Sequence, residues 1–114
     1  MRPSDRVALR KMIDYCEDIS ELRAQFGDSM DAFSRQKAYQ YAAGMCIVQM
    51  GELVTRLSDE AKGAAPDIPW RAIRGMRNVY AHDYEQTKLS TIWQTLTEDI
   101  PQLKDRLEQL LSEN

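Results

Sequence analysis

Apolar residues recur every three or four positions along nearly the whole chain, which is the period of amphipathic α-helices. A first helix is predicted from Ser4, as its N-cap, to about Gln25, and Gly27 breaks it. Its apolar stripe consists of Leu9, Met12, Ile13, Cys16, Ile19, Leu22 and Phe26. No segment sustains the two-residue alternation of a β-strand. The pattern therefore predicts an all-α protein.

A second long helix is predicted from about Ser34 to Leu57, after a short turn around residues 30–33. Its apolar stripe is Ala38, Tyr41, Ala42, Met45, Val48, Met50, Leu53, Val54 and Leu57. Gly44 and Gly51 lie on one face of this helix, although each glycine costs about 1 kcal/mol relative to alanine. We therefore expect another helix to approach closely there. Glu52, within this apolar stretch, is interpreted as a solvated carboxylate.

The second half of the chain predicts shorter helices. Ser58 precedes a turn over residues 59–62, and a break at residues 63–66 separates it from a helix beginning around Pro69. Thr87 is the expected cap of the next helix, and Pro101 is expected to kink or restart the last one. The apolar positions of these helices are Trp70, Ile73, Met76, Leu89, Ile92, Trp93, Leu96, Leu103, Leu107, Leu110 and Leu111. The architecture predicted is one antiparallel bundle of four to six helices spanning residues 1–114.

Composition narrows the class of protein. The chain has 114 residues, 43% hydrophobic and 29% charged, which is typical of a single globular domain. It contains no apolar run of the ~18 residues that a membrane helix needs, and its N-terminus has no signal-peptide pattern, so we expect a cytoplasmic protein with no membrane association. Cys16 and Cys46 are interpreted as reduced core thiols. With one histidine and no paired cysteines, we expect no metal site and no cofactor.

The only histidine, His82, lies in the segment Arg77-Asn78-Val79-Tyr80-Ala81-His82-Asp83-Tyr84. Histidine transfers protons near neutral pH, arginine binds phosphate through a fixed fork of donors, and tyrosine donates to phosphate or stacks on a base. Together they favour phosphate-centred acid–base chemistry, such as attack of a ribose 2′-hydroxyl on the adjacent phosphate. The net charge of −3 argues against a general nucleic-acid binder but permits a locally basic cleft.

Arg71, Arg74 and Arg77 are spaced by three residues, with no acidic residue between Pro69 and His82. They form either a solvated helix face or a ridge that faces phosphate. Arg77 and His82 would lie about 140° apart on a regular helix. Either the helix ends between them, or a second copy of the chain completes the site.

Two further side chains of this segment have open interpretations. Asn78 either donates a hydrogen bond to phosphate or to the His82 backbone, or caps the helix terminus. Asp83 either orients His82 or is exposed. With one histidine per chain, separate acid and base groups would require two copies, which makes a dimer attractive.

The spacing Arg77-x4-His82-x-Tyr84 resembles the RX4HXY signature of HEPN domains, specifically the HepT-like ribonuclease toxins. The resemblance extends to flanking segments across nearly the whole chain: Gly51-Glu52, Ile68-Pro69-Trp70-x-x-Ile73, Gly75-Met76-Arg77-Asn78 and Ile92-Trp93. It implies a dimeric, all-α, metal-independent endoribonuclease whose two motifs meet at the dimer interface. Arg77 and His82 match the family's catalytic residues. Asn78, Tyr84, Arg74 and Arg71 are the supporting contacts that we expect to RNA.

The resemblance also implies a partner. Members of the family are commonly toxins that are neutralised by a small MNT-type nucleotidyltransferase antitoxin, which transfers AMP to the motif tyrosine. That tyrosine matches Tyr84, and Tyr80 is a second candidate acceptor. The RNA substrate stays open between transfer RNA, which the family favours, and messenger RNA. The alternative function is a non-catalytic helical dimer that binds and presents the nucleotidyltransferase.

Overall fold

The computed structural model describes residues 1–82 and 84–113, and all regular elements in these ranges are helical. The α-helices are α1 Pro3–Phe26, α2 Met30–Arg35, α3 Lys37–Val54, α4 Asp59–Gly63, α5 Trp70–His82, α6 Leu89–Gln94 and α7 Ile100–Glu113. A 3₁₀ turn covers Tyr84–Gln86, and a π-helical stretch, Thr95–Asp99, joins α6 to α7. The prediction of an all-α helical bundle is confirmed. None of the described helices is both long and apolar enough to cross a membrane.

A buried carboxylate fixes the beginning of α1. The helix begins at Pro3, so Ser4 lies in its first turn and the prediction that Ser4 is the N-cap was wrong. Asp5, 1% exposed, accepts hydrogen bonds from the Ser58 amide at 2.8 Å and the Ser58 hydroxyl at 2.7 Å. Burial by itself raises the pKa of Asp5, but the bonds from Ser58 and the Arg2 amide outweigh it and lower the pKa. The carboxylate thereby ties α1 to the start of α4.

The predicted helix Ser34–Leu57 is two helices in the structure. The backbone of Gln36 is extended between α2 and α3, and its side-chain Nε2 donates to the carbonyls of Phe26 and Ala32 at 2.9 and 3.1 Å. These bonds stabilise a break that no glycine or proline marks. The predicted apolar stripe was also partly wrong, because Tyr41 and Met45 are 60% and 58% exposed. Met50, Leu53 and Val54 are buried as predicted, and Tyr39, Ala43, Cys46 and Ile47 complete the buried apolar face.

Helices α3 and α5 pack closely at two glycines. A Cβ atom at Gly51 would lie 2.9 Å from Arg77 Cβ and 3.1 Å from the carbonyl oxygen of Ile73. A Cβ atom at Gly44 would lie 3.3 Å from Tyr80 Cδ1. The close helix approach predicted at both glycines is confirmed. Because the later glycine of α3 meets the earlier residues of α5, the two helices run antiparallel.

The last α-helix begins at Ile100, so Pro101 lies in its first turn, in agreement with the prediction that the final helix restarts there. Proline lacks an N–H donor and its ring crowds the carbonyl four residues earlier, that of Thr97. The preceding π-helical stretch, in which the Ile100 amide donates to the Thr95 carbonyl, gives the chain a wider turn there. The buried positions continue across this stretch, and they are Ile92, Leu96, Ile100, Leu103, Leu107 and Leu110. Thus α6 and α7 contribute one apolar face to the core.

Both cysteines are buried and unpaired, as predicted. Burial raises the pKa of the Cys16 thiol to about 12 and that of Cys46 to about 11. The Cys16 thiol lies 3.7 Å from the sulfur of Met50. The two side chains therefore act as small core hydrophobes.

Candidate functional site

Helix α5 carries the motif without interruption from Arg77 to His82. Of the two explanations for their separation, a helix end between them is therefore excluded. On one regular helix, residues five apart are rotated by about 140° and displaced by about 7.5 Å along the axis. Arg77 and His82 of one chain consequently lie on different faces of α5.

Arg77 lies on the flank of α5 that borders α3, and it is held there by an ion pair. Its Nη1 donates to Oε1 of Glu52 at 2.8 Å, and both side chains are partly exposed. The interpretation of Glu52 as merely solvated was incomplete, because its carboxylate has a defined partner. Gly51 permits this arrangement, since its missing side chain leaves room for the Arg77 stem. A guanidinium has five N–H donors, so one bond to Glu52 leaves donors for a phosphate.

His82 ends α5 on its solvent face. Arg71, Gly75, Asn78 and His82 follow each other at spacings of four, three and four residues, which places them on one stripe, and all are exposed. The structure thus brings Arg71 and Asn78 onto the face of His82, away from Arg77.

Arg74 is also exposed, and it lies between these two faces of α5. Each three-residue step turns the helix by about 60°, so the ridge from Arg71 to Arg77 drifts by about 120° around it. The arginine ridge therefore connects the face of His82 with the flank of Arg77. The positive charges of the three arginines are therefore distributed around α5 and do not cluster on one face.

The Tyr84 hydroxyl is fixed by a buried glutamine of α3. It donates to Oε1 of Gln40 at 2.6 Å, and Gln40 is only 6% exposed. The Gln40 amide nitrogen donates to the carbonyls of Phe33 and Ser34 at 2.8 and 3.3 Å, which fixes the oxygen toward Tyr84. Burial, followed by the neighbouring Tyr41 phenol, raises the pKa of Tyr84. Gln40 was not among the predicted site residues, although its place four residues before Gly44, on the same helix face, was a usable signal.

Tyr80 has a different environment. Its ring packs against α3 at Gly44, and burial raises the pKa of its phenol far above the usual range, with smaller contributions from Tyr84 and Asp99. Deprotonation of Tyr80 is thus disfavoured strongly. Asp83, predicted either to orient His82 or to be exposed, lies outside the described residues.

The part of the chain that the structure describes offers the motif no metal-ligand cluster, and the cavity next to α5 lies apart from Arg77 and His82. Among the described residues, no three His, Cys, Asp or Glu side chains lie close enough together to hold a metal ion. A cavity of about 340 Å³ lies between α5 and α7, and Ile68, Ala72, Met76, Leu103 and Arg106 are among its lining residues. Neither Arg77 nor His82 lines it. Asn78 and His82 of the motif are exposed, whereas Arg77, Tyr80 and Tyr84 are partly buried.

Comparison with known proteins assigns the chain to a family. The family model described as Ribonuclease HepT-like matches residues 12–110. The chain belongs to the HepT-like ribonuclease family. "Probable ribonuclease HepT" of Thermococcus cleftensis is 33% identical over 102 residues, covering 85% of this chain and 93% of the relative. "Putative RNase MJ1216" of Methanocaldococcus jannaschii is 27% identical over 105 residues, covering 92% and 85%. No solved structure matches the chain.

Membership gives the motif a family context. The matched region includes the whole of α5 and the Glu52 and Gln40 contacts from α3. The resemblance inferred from Arg77, His82 and Tyr84 is thereby confirmed at the level of the HepT-like family.

Proposed function

We propose that this HepT-like protein is a metal-independent endoribonuclease that acts in the cytoplasm. The observation that carries the proposal is the arrangement of α5, which presents an exposed His82 and an Arg77 anchored by Glu52 on one rigid helix. Family membership and the ribonuclease names of the relatives support RNA as the substrate. Transfer RNA is the leading substrate, and messenger RNA is the other.

The proposed reaction is transesterification followed by release of the downstream strand. A ribose 2′-hydroxyl loses its proton and attacks the adjacent phosphorus, and the bond to the 5′-oxygen breaks as that oxygen gains a proton. The upstream strand then ends in a 2′,3′-cyclic phosphate. His82 supplies the proton transfers, because a histidine suits acid–base catalysis near neutral pH. Arg77 binds the non-bridging oxygens and stabilises the charge that builds on them.

A homodimer would complete the site. One chain offers one imidazole, whereas the reaction needs a base on one side of the phosphate and an acid on the other. Because Arg77 and His82 lie on different faces of α5, a second copy that meets this helix could place its own His82 opposite the first. Asn78, Arg71 and Arg74 would then contact the flanking phosphates and position the strand.

We further propose that the protein is the toxin of a toxin–antitoxin pair with an MNT-type nucleotidyltransferase. The antitoxin would transfer AMP to Tyr84, so that the tyrosyl oxygen forms a bond to the α-phosphorus of ATP and pyrophosphate leaves. The phenol of Tyr84 loses its proton in this step, and the antitoxin would supply the base; burial raises the pKa of Tyr84, which makes that proton harder to remove. Tyr80 is the less favourable acceptor, because its phenol is packed against Gly44. The added phosphate and base would block the RNA site.

The proposed activity is tested with purified protein, free of AMP, and end-labelled RNA. We expect cleavage that persists in EDTA, produces cyclic phosphate ends, and is abolished by His82→Ala and by Arg77→Ala. Arg10→Ala, an exposed arginine on α1, serves as the matched control and should cleave normally. Loss of cleavage in EDTA, or full activity of His82→Ala, would overturn the proposal.

The proposed regulation has a separate test. After co-expression with the nucleotidyltransferase, we expect the intact mass to rise by whole AMP units, located on the peptide that contains Tyr84. Tyr84→Phe should stay unmodified and toxic, whereas Tyr80→Phe should be modified as the wild type is. Modification that persists in Tyr84→Phe and disappears in Tyr80→Phe would reassign the acceptor.

A further inference from the structure

An exposed aromatic side chain lies directly beside the motif. Tyr41 of α3 is 60% exposed, and its ring centroid lies 6.1 Å from that of Tyr84 at an interplanar angle of 57°. Met45, one turn further along α3, is 58% exposed. Among the described residues, the other large apolar side chain with comparable exposure is Val7 on α1. Exposed apolar surface of α3 is thus concentrated next to the proposed RNA site.

Tyr41 belongs to a stripe of α3 that follows the motif from end to end. Tyr41, Met45, Val48 and Glu52 are spaced by four, three and four residues, so they share one helix face. At one end Tyr41 contacts Tyr84, and at the other end Glu52 binds Arg77. Tyr41 and Glu52 are eleven residue steps apart, which is about 16 Å along the helix axis. A strand bound at Arg77 and running along this stripe would reach Tyr41.

Of the two neighbouring phenols, Tyr41 is the one available to a ligand. The Tyr84 ring is half-buried and its hydroxyl is engaged by Gln40, whereas most of the Tyr41 ring contacts solvent. Tyr41 lies within α3, and its ring neighbours the Tyr84 ring, whose hydroxyl Gln40 holds in place. This placement gives Tyr41 a rigid backbone and a defined neighbour, which are the properties of a stacking platform.

The charges around Tyr41 match a nucleic acid. Lys37 lies one turn before Tyr41 and is exposed, while Arg74 and Arg77 lie along the facing flank of α5. The acid of the stripe, Glu52, is engaged by Arg77. Aromatic side chains among cations are how proteins bind single strands, because cations contact the phosphates and every base can stack on a ring.

We propose that Tyr41 stacks on an unpaired base of the RNA substrate, at a nucleotide beyond the one whose phosphate Arg77 binds. The inference rests on the proposed ribonuclease function and adds a substrate class to it. Bases inside an A-form duplex are stacked on each other and do not offer their faces to a side chain. The substrate is therefore a single-stranded or looped segment that extends for several nucleotides across the α3–α5 surface.

The test measures binding of a fluorescent single-stranded oligoribonucleotide to the full chain carrying His82→Ala, which keeps the RNA intact. We expect Tyr41→Ala and Tyr41→Leu to weaken binding by about 5- to 150-fold, the usual range for loss of one stacked base, and Tyr41→Phe to bind as tightly as tyrosine. Val7→Ala is the matched control for removal of an exposed apolar side chain. The slope of affinity against salt should stay unchanged in all Tyr41 variants, because no phosphate contact is removed.

An abasic scan makes the test specific. We expect removal of the base at one particular position of the oligonucleotide to weaken binding to the protein that retains Tyr41. Removal of the same base should have no such effect on binding to Tyr41→Leu. The inference would be overturned if Tyr41→Leu bound the oligonucleotide as tightly as the protein that retains Tyr41 and if removal of no single base weakened binding to the latter. Conversion of a dimer to monomers by Tyr41→Ala but not by Tyr41→Leu would overturn it as well, since that marks an apolar contact between copies. Failure of the ribonuclease proposal is distinguishable, because wild-type protein would then leave every RNA uncleaved.

Discussion

Replacing Gly51 by alanine should separate the two helices that form the site. A Cβ atom there would lie 2.9 Å from Arg77 Cβ, 3.1 Å from the Ile73 carbonyl oxygen and 3.4 Å from the Arg74 carbonyl oxygen. The two carbonyl oxygens belong to the backbone, and Arg77 Cβ is bonded directly to the backbone. Rotation of a side chain therefore cannot relieve the overlap. Helix α5 would have to move by several tenths of an ångström, and Arg77 would move with it.

The magnitude follows from two opposing terms. Alanine in the middle of a helix is favoured over glycine by about 1 kcal/mol. Insertion of a methyl group into a well-packed contact costs about 1–3 kcal/mol. Gly75 of α5 provides the reference, because nothing lies within 4 Å of a Cβ atom at that position. The free energy of unfolding of Gly75→Ala should exceed that of Gly51→Ala by about 1–3 kcal/mol, since the propensity gain is common to both.

The assay is urea denaturation of both variants at one protein concentration, since the stability of an oligomer depends on concentration. We also expect Gly51→Ala to lower RNA cleavage, because displacement of a positioned group by about 1 Å reduces rates by up to about a hundredfold. An equal gain in stability from both substitutions would show that α3 and α5 do not approach closely at Gly51, and would refute the reasoning.

Three other outcomes follow from the contacts. Glu52→Ala should lower kcat for RNA cleavage by about 10- to 100-fold, because Arg77 loses the partner that positions it. Glu52→Gln keeps an acceptor oxygen and should retain most of the wild-type kcat. Equal losses of kcat in the two variants would argue against a positioning role. Asp5→Asn should cost about 1.5–3 kcal/mol at pH 7 through its weakened bonds from Ser58. The folded pKa of Asp5 is lowered, so its contribution is complete above the unfolded value of about 3.9 and is lost as pH falls through the folded pKa. Denaturation curves should accordingly converge for wild type and Asp5→Asn in acid. Both cysteines should react with a thiol reagent only on unfolding, because burial raises their pKa values to about 12 and about 11, and rapid labelling of native protein would contradict this.

The pattern of α5 could be predicted from the sequence because its two sides differ chemically. Trp70 and Ile73 of the predicted apolar edge are buried and Met76 is partly buried, whereas Arg71 and Arg74 are exposed. The glycine pair of α3 was equally informative, since a helix interior keeps glycine at a cost unless another backbone approaches. The RX4HXY spacing led to the right family, which the family comparison confirmed.

The buried face of α3 was harder to predict. Apolar residues occur on most sides of this helix, so their helical period does not identify which side is buried. Tyr41 and Met45 were predicted in the core for this reason. In the structure they are exposed, because α1 and α5 pack against other faces of α3. The break at Gln36 depends on hydrogen bonds to Phe26 and Ala32, which only the folded chain brings together. The Arg77–Glu52 contact likewise depends on the helix pairing and not on local sequence.

The continuity of α5 has a consequence for how the motif tolerates change in length. Backbone hydrogen bonds of the helix fix the distance and angle between Arg77 and His82, and no loop between them can absorb an extra residue. One inserted or deleted residue would turn the imidazole by about 100° and shift it by about 1.5 Å relative to the guanidinium. Substitutions at Val79 or Ala81 leave that relation intact. The four residues between the arginine and the histidine of the signature thus set the angle between these two side chains around the helix axis. Substituting one of the four keeps that angle, whereas inserting or deleting a residue changes it.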